Sequence, residues 1–156
     1  MQYFQLHTQQ EIAFYLNDII HGCKAIARKN LLTSPEHLLN MITWNIERPN
    51  CFFLAGIHHK RCVGFLFALG ISYTDKAWCE VIAMWTVPGL ASKIKTAGAE
   101  PIDLLRKWCK DRNITSIVTN ITRGLMSHVK AKDGVYMKWL RDVGFEEVGK
   151  VIRLAV

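Results

Sequence analysis

"EVIAMWTVPGLASKIKTAGAEPIDLLRKWC", residues 80–109, decides the fold. Its first part is apolar, rich in β-branched and aromatic residues and too short for a bilayer span, which predicts a buried strand ending at the Val87–Pro88 pair. A basic loop with Lys93, Lys95 and Gly98 follows. Pro101 then starts an amphipathic helix whose inward side is Ile102, Leu104, Leu105, Trp108 and Cys109. The free amides and dipole at the start of such a helix favour a phosphate, and a glycine lets the backbone approach it. The same residues also suit a plain connection in which the lysines are solvated and Gly98 eases a turn.

Working outward, "YFQLHT" (3–8) reads as a short strand, with Thr8 placed to cap a helix that carries Glu11 in its first turn. Ile12, Tyr15, Leu16, Ile19, Cys23 and Ile26 recur every three or four residues and predict one helix ending near residues 28–30. A second helix is predicted from Ser34 as cap, Pro35 at the first position and Glu36 in the first turn, with Leu38, Leu39, Ile42 and Ile46 buried and Pro49 as its stop. "CFFLAGI" and "CVGFLFALGI" flank the turn "HHKR" as an antiparallel hairpin, and "AWCEVIAMWTV" follows the turn "SYTDK". Strands this apolar are covered on both faces. Beyond the Pro101 helix come a strand at "ITSIVTNI", a helix at "DGVYMKWLRDVGF" stopped by Gly144, and a closing strand in "EEVGKVIRLAV". The order β-α-α-β-β-β-α-β-α-β makes residues 1–156 one domain: an α/β (α+β) three-layer sandwich with a mixed, mostly antiparallel sheet and helices on both faces.

The totals agree with a globular chain: 156 residues, half of them apolar and 21% charged. The N-terminus lacks the pattern of a secretory signal, so a cytoplasmic protein without a membrane partner is expected. Five cysteines in apolar surroundings and irregular spacing read as reduced, buried thiols. A net charge of +7 favours polyanionic company: nucleic acid, a phosphate-rich cofactor or an acidic protein face. Cys51, His58, His59 and Cys62 surround one hairpin, but their spacing is not that of a zinc knuckle, and a basic turn between core thiols describes them better. No metal is expected. The segment 122–134, with Arg123, His128, Lys130 and Lys132, is a solvated loop or a contact for nucleic acid or an acidic partner.

"EVIAMWTVP", the glycine-containing loop, "DLLRKWCKDRNITSIV" and "YMKWLRDVGFEEVG", in this order, resemble the GNAT superfamily of N-acetyltransferases over almost the whole chain. The resemblance implies acetyl-CoA as cofactor, without a metal, and an amine acceptor, protein or small molecule; it also leaves room for a homodimer. Its pyrophosphate loop, Q/R-x-x-G-x-G/A, falls on Lys95, Thr96, Ala97, Gly98, Ala99 and Glu100, with Lys93 or Lys95 available to a further phosphate. Lysine replaces Gln or Arg, and Glu100 stands where a small residue is usual, setting a carboxylate beside a pyrophosphate; Pro101 removes another amide.

The resemblance also implies an oxyanion donor among the backbone amides of the strand near Trp85, Thr86 and Val87, and a general base near the strand's start, where Glu80 stands. Burial in an apolar strand would raise the pKa of such a carboxylate toward neutrality. An edge carboxylate at the strand entrance is the competing reading of Glu80. The family's acid, a tyrosine four residues before the Gly-Phe pair, is Leu140 here; Tyr136, one turn earlier on the same face, is the substitute candidate, and packing is its alternative. Two functions follow as expectations: an acetyl-CoA-dependent N-acyltransferase with an altered cofactor loop, or a GNAT-fold protein without catalysis, resembling bacteriophage-encoded virion or host-interaction components, in the host cytoplasm. Modification of a nucleic-acid base or charged tRNA is a third.

Overall fold

The computed structural model describes residues 1–29, 33–90, 100–119, 138 and 140–146. The first strand, β1 (Gln2–Leu6), leads into α1 (Gln9–Phe14), α2 (Leu16–Ala27) and α3 (Pro35–Asn45). Three long strands follow, β2 (Cys51–His58), β3 (Arg61–Tyr73) and β4 (Lys76–Thr86), then α4 (Glu100–Lys110) and β5 (Ile117–Thr119). The sheet order is β1-β2-β3-β4-β5, antiparallel throughout except for the parallel β4–β5 pair. The expected sandwich and its strand order are present as far as β5. The closing strand lies outside the described residues, as does most of the last predicted helix, of which residues 140–142 are helical.

Local chemistry sets the helix starts. Thr8 accepts from the Glu11 amide at 3.1 Å while the Glu11 carboxylate accepts from the amides of His7 and Thr8, a complete capping box. Ser34 accepts from the His37 amide, and Pro35 occupies the first turn of α3. The single helix expected after Thr8 is instead two, separated at Tyr15, whose φ of −106° and ψ of 18° are not helical. The break turns Phe14 into solvent at 77% exposure, while Tyr15 packs against the core. Leu16 and Leu104, both expected inward, are 37% and 36% exposed. The apolar period had room for each, but the buried arc of α4 is filled by Ile102, Leu105, Trp108 and Cys109.

Two cores sandwich the sheet, so β2 and β3 are buried on both faces. The core on the α1–α3 face includes Ile19, Cys23 and Ile42 of the helices and Phe53, Phe65, Phe67 and Trp85 of the sheet. The core on the α4 face includes Leu105 and Trp108 of the helix and Phe52, Leu54, Leu66, Cys79 and Val81 of the sheet. In β4 the pairing steps from Phe67↔Ala83 to Ala68↔Val81, leaving Ile82 as an inserted residue. This β-bulge shifts the alternation by one. Cys79 and Val81 therefore face α4, whereas Ala83 and Trp85 face α1–α3.

All five cysteines are free and buried. Burial pushes the thiols of Cys23 and Cys51 up to about 12 and that of Cys62 up to about 11, and raises Cys79 and Cys109 as well. Thiols so held stay protonated near neutral pH and are poor nucleophiles. Among the described residues no helix is long and apolar enough to cross a membrane.

Candidate functional site

Strand β4 carries Glu80, Trp85 and Thr86, with Val87 just past its end, and the start of α4 carries Glu100. Glu80 lies opposite Leu69 of β3 and Val118 of β5, in the middle of the sheet and half-buried. Its neighbours Cys79 and Val81 point toward α4, so its side chain points to the α1–α3 face. Glu80 is thus an interior-strand residue, not an edge carboxylate.

Trp85, Thr86 and Val87 were expected to offer backbone donors, and the three are not equivalent. The Val87 amide donates to the Val63 carbonyl at 2.8 Å and is already engaged. Amides alternate along an antiparallel pair, so the Trp85 amide also points to β3, while those of Met84 and Thr86 point away, toward the β5 side. Among the described residues β5 pairs with β4 only from Cys79 to Val81. At about 3.3 Å per residue, Thr86 stands roughly 20 Å from Glu80 along the strand, and Met84 roughly 13 Å or less because of the bulge. Met84, not singled out from sequence, therefore has the outward amide nearer to Glu80. Its only sequence signal would have been the bulge, which the apolar run from Val81 to Trp85 conceals.

The Trp85 indole is buried on the α1–α3 side, in contact with Phe65 and with the imidazole of His21, whose ring centroid is 5.7 Å away. His21 was likewise missed, since an exposed histidine on an amphipathic helix carries no sequence signal. It brings an ionisable group from α2 to the same face of the sheet as Glu80.

At the other side of the sheet, Glu100 is the first residue of α4 and is exposed, followed by Pro101. Its charge reaches Tyr3 of β1, whose phenol is pushed up to about 12 by burial first and by Glu100 second. A carboxylate here occupies the electropositive end of the helix that a phosphate would otherwise use. A second anion at the described start of α4 would meet the Glu100 carboxylate. Lys93, Lys95, Thr96, Ala97, Gly98, Ala99, Tyr136 and the segment 122–134 lie outside the described residues.

Leu140, at the position of the implied acid, is 1% exposed and belongs to the core. The helix that carries it ends in a Schellman pattern: Gly144, at φ 99°, donates to Arg141, and Phe145 donates to Leu140, both at 2.9 Å. Arg106 of α4 donates to the Val143 carbonyl, tying this helix end to α4. Cys51 and His58, at opposite ends of β2, are roughly 23 Å apart by strand rise, so the Cys/His residues of the hairpin do not converge on one metal.

No protein-family model and no curated protein matches the chain. Among solved structures, it is similar to the aminoglycoside 6'-N-acetyltransferase AAC(6')-IG from Acinetobacter haemolyticus, with a TM-score of 0.69 and 14% identity over 100% of this chain and 98% of the other. A predicted acetyltransferase from Clostridium acetobutylicum, solved with acetyl-CoA, superposes with a TM-score of 0.72 at 12% identity, over 99% of this chain and 95% of that one. The aminoglycoside N-acetyltransferase AAC(6')-Iy, solved with CoA, gives 0.66 at 12% identity, over 99% and 98%. The fold is that of the GNAT acetyltransferases.

Proposed function

We propose that the chain is an acetyl-CoA-dependent N-acyltransferase acting on an amine. The observation that carries this reading is the bulge at Ile82 in β4, which turns the amides of Met84 and Thr86 away from β3 within one strand of an interior carboxylate, Glu80. The full-length likeness to acetyltransferases solved with CoA or acetyl-CoA supports it. Acetyl-CoA would supply an activated acetyl thioester. In this reading the outward amides of β4 bind the cofactor's amide chain and donate to the oxygen that gains charge during acyl transfer. Glu80 accepts the amine proton through ordered water, and no described side chain stands in the place of an acid for the departing thiolate. Lys95, Thr96, Ala97, Gly98 and Ala99 remain our assignment for the phosphate loop, with Lys93 beside it and Tyr136 as a candidate acid.

The test is titration of the purified chain with CoA and acetyl-CoA, followed by calorimetry and thermal shift. A ligand of the native state raises Tm in proportion to the logarithm of its concentration above Kd. Absence of any shift at millimolar CoA would sink the enzyme reading. Glu100 at the start of α4 favours that second outcome, in which the fold is kept as an interaction module without a cofactor.

A further inference from the structure

On the α1–α3 face, at the outer edge of the sheet, a recess of about 510 Å³ lies between β1, the break after α1 and the β2–β3 turn. Its walls include Phe4, Phe14 and Tyr15, and its rim is the consecutive triplet His58, His59 and Lys60. The volume lies within the range of small-molecule sites. Two strands, β2 and β3, separate its β1 wall from β4, so it is distinct from the site proposed above.

The composition of this recess is one-sided. Phe4 and Phe14 are 49% and 77% exposed, an unusual placement for two large rings beside one opening. Phe14 meets Tyr15 edge-on with ring centroids 4.8 Å apart, and the imidazoles of His58 and His59 meet edge-on at 4.1 Å. None of the residues lining the recess is acidic. The two nearest carboxylates in sequence to Phe14 are engaged elsewhere: Asp18 with Arg61 and the Cys62 amide, and Glu11 with the amides of His7 and Thr8. The basic rim therefore has no carboxylate of its own in the recess.

The turn is also costly. His59 and Lys60 both have left-handed backbones, at φ 49° and 62°, in a two-residue hairpin loop where Asn and Gly are the usual choices. A basic pair in that conformation is held against local preference. What the conformation secures is a neighbouring imidazole and ammonium at the rim of an aromatic-walled recess.

We infer that this recess binds a small aromatic anion, its ring between Phe4 and Phe14 and its carboxylate or phosphate on the His58–His59–Lys60 turn. Aromatic rings meet the aromatic walls edge-on or offset, and the anion gains charge-assisted hydrogen bonds from the rim. Neither half of such a ligand is sufficient by itself in so open a recess.

The full-length chain is titrated with indole-3-acetate and phenyl phosphate, which separate a carboxylate from a phosphate ligand. Acetate, inorganic phosphate and benzyl alcohol supply the charge or the ring alone. Calorimetry gives Kd, and amide chemical shifts locate the ligand. At least one aromatic anion is expected to bind at least tenfold more tightly than every control, with shifts concentrated at residues 14–15 and 58–60. Lys60→Glu and Phe14→Ala, both changes at exposed positions, should each weaken it about tenfold with Tm within 2 °C or so of the unaltered chain. Binding that either variant leaves unchanged, shifts centred on β4 or the start of α4, or no preference over the controls would overturn the inference. Because the readout is binding at the β2–β3 turn, its failure is independent of whether CoA binds.

Discussion

The Cβ that Gly22 lacks would fall 2.6 Å from Cε3 of Trp85. The same position is 2.5 Å from Cε1 of Phe65. Helix α2 therefore rests directly on two aromatic rings of β3 and β4, at a separation only glycine permits. Ordinarily a glycine-to-alanine change inside a helix stabilises by about 1 kcal/mol. Here Gly22→Ala is expected to destabilise by about 1–3 kcal/mol, because helix and rings must part. Urea unfolding of the two proteins reads the sign, and a stabilised variant would contradict this packing.

Glu100 bears on the proposed cofactor. If a diphosphate approaches the start of α4, removing the carboxylate should relieve like-charge repulsion, and Glu100→Ala is expected to tighten CoA binding by about fivefold or more at low salt. Calorimetric Kd values at two salt concentrations make the comparison. An affinity that falls, or a gain that ignores salt, would place the phosphates elsewhere.

The role given to Glu80 separates binding from turnover. Glu80→Gln keeps the shape of the side chain and should leave CoA affinity within about twofold while lowering kcat/KM for an accepted amine about a hundredfold or more. Unchanged turnover would remove it as the base.

Asp18 gives the fold a dependence on acid. Its carboxylate accepts from Nε of Arg61 and from the Cys62 amide, all at 3.0 Å, in a bidentate pair that ties α2 to the start of β3. The Arg61 hydrogen bonds hold the Asp18 carboxyl below its usual range, against the opposing effect of burial and with help from the Cys62 amide. A carboxyl lowered by folding stabilises above its unfolded pKa, about 3.9, and that stability disappears as pH falls through the folded value. The Tm difference between the unaltered chain and Asp18→Asn should thus be constant above about pH 5 and shrink below about pH 4. A difference independent of pH down to acid unfolding would show that charge plays no part.

The features legible in the sequence were those written in adjacent residues. Thr8 with Glu11 and Ser34 with Pro35 announce their helices because a cap needs only neighbours within one turn. The His59–Lys60 turn was marked by the apolar runs on either side of it. What escaped depends on contacts across the sheet. The break at Tyr15 is hidden because Ile12, Tyr15 and Ile19 keep helical spacing through it, although only Ile12 and Ile19 are fully buried. The bulge at Ile82 is hidden because both faces of β4 are apolar there, so no polar residue marks the change of side. For the site, the sequence left Glu80 between a buried base and an edge carboxylate, because the pairing with β5 that makes its strand interior comes from far along the chain, and the choice among backbone amides depends on which of them β3 engages.

That inserted residue also makes β4 a strand with a phase. Pairing Ile82 in register with β3, with no residue inserted, would return the strand to strict alternation, putting Met84 under α2 and turning the Trp85 ring toward α4, where Trp108 already stands. It would simultaneously exchange which backbone amides are spent on β3 and which face outward. Packing and chemistry are therefore geared together at one position, and neither can drift along this strand without carrying the other.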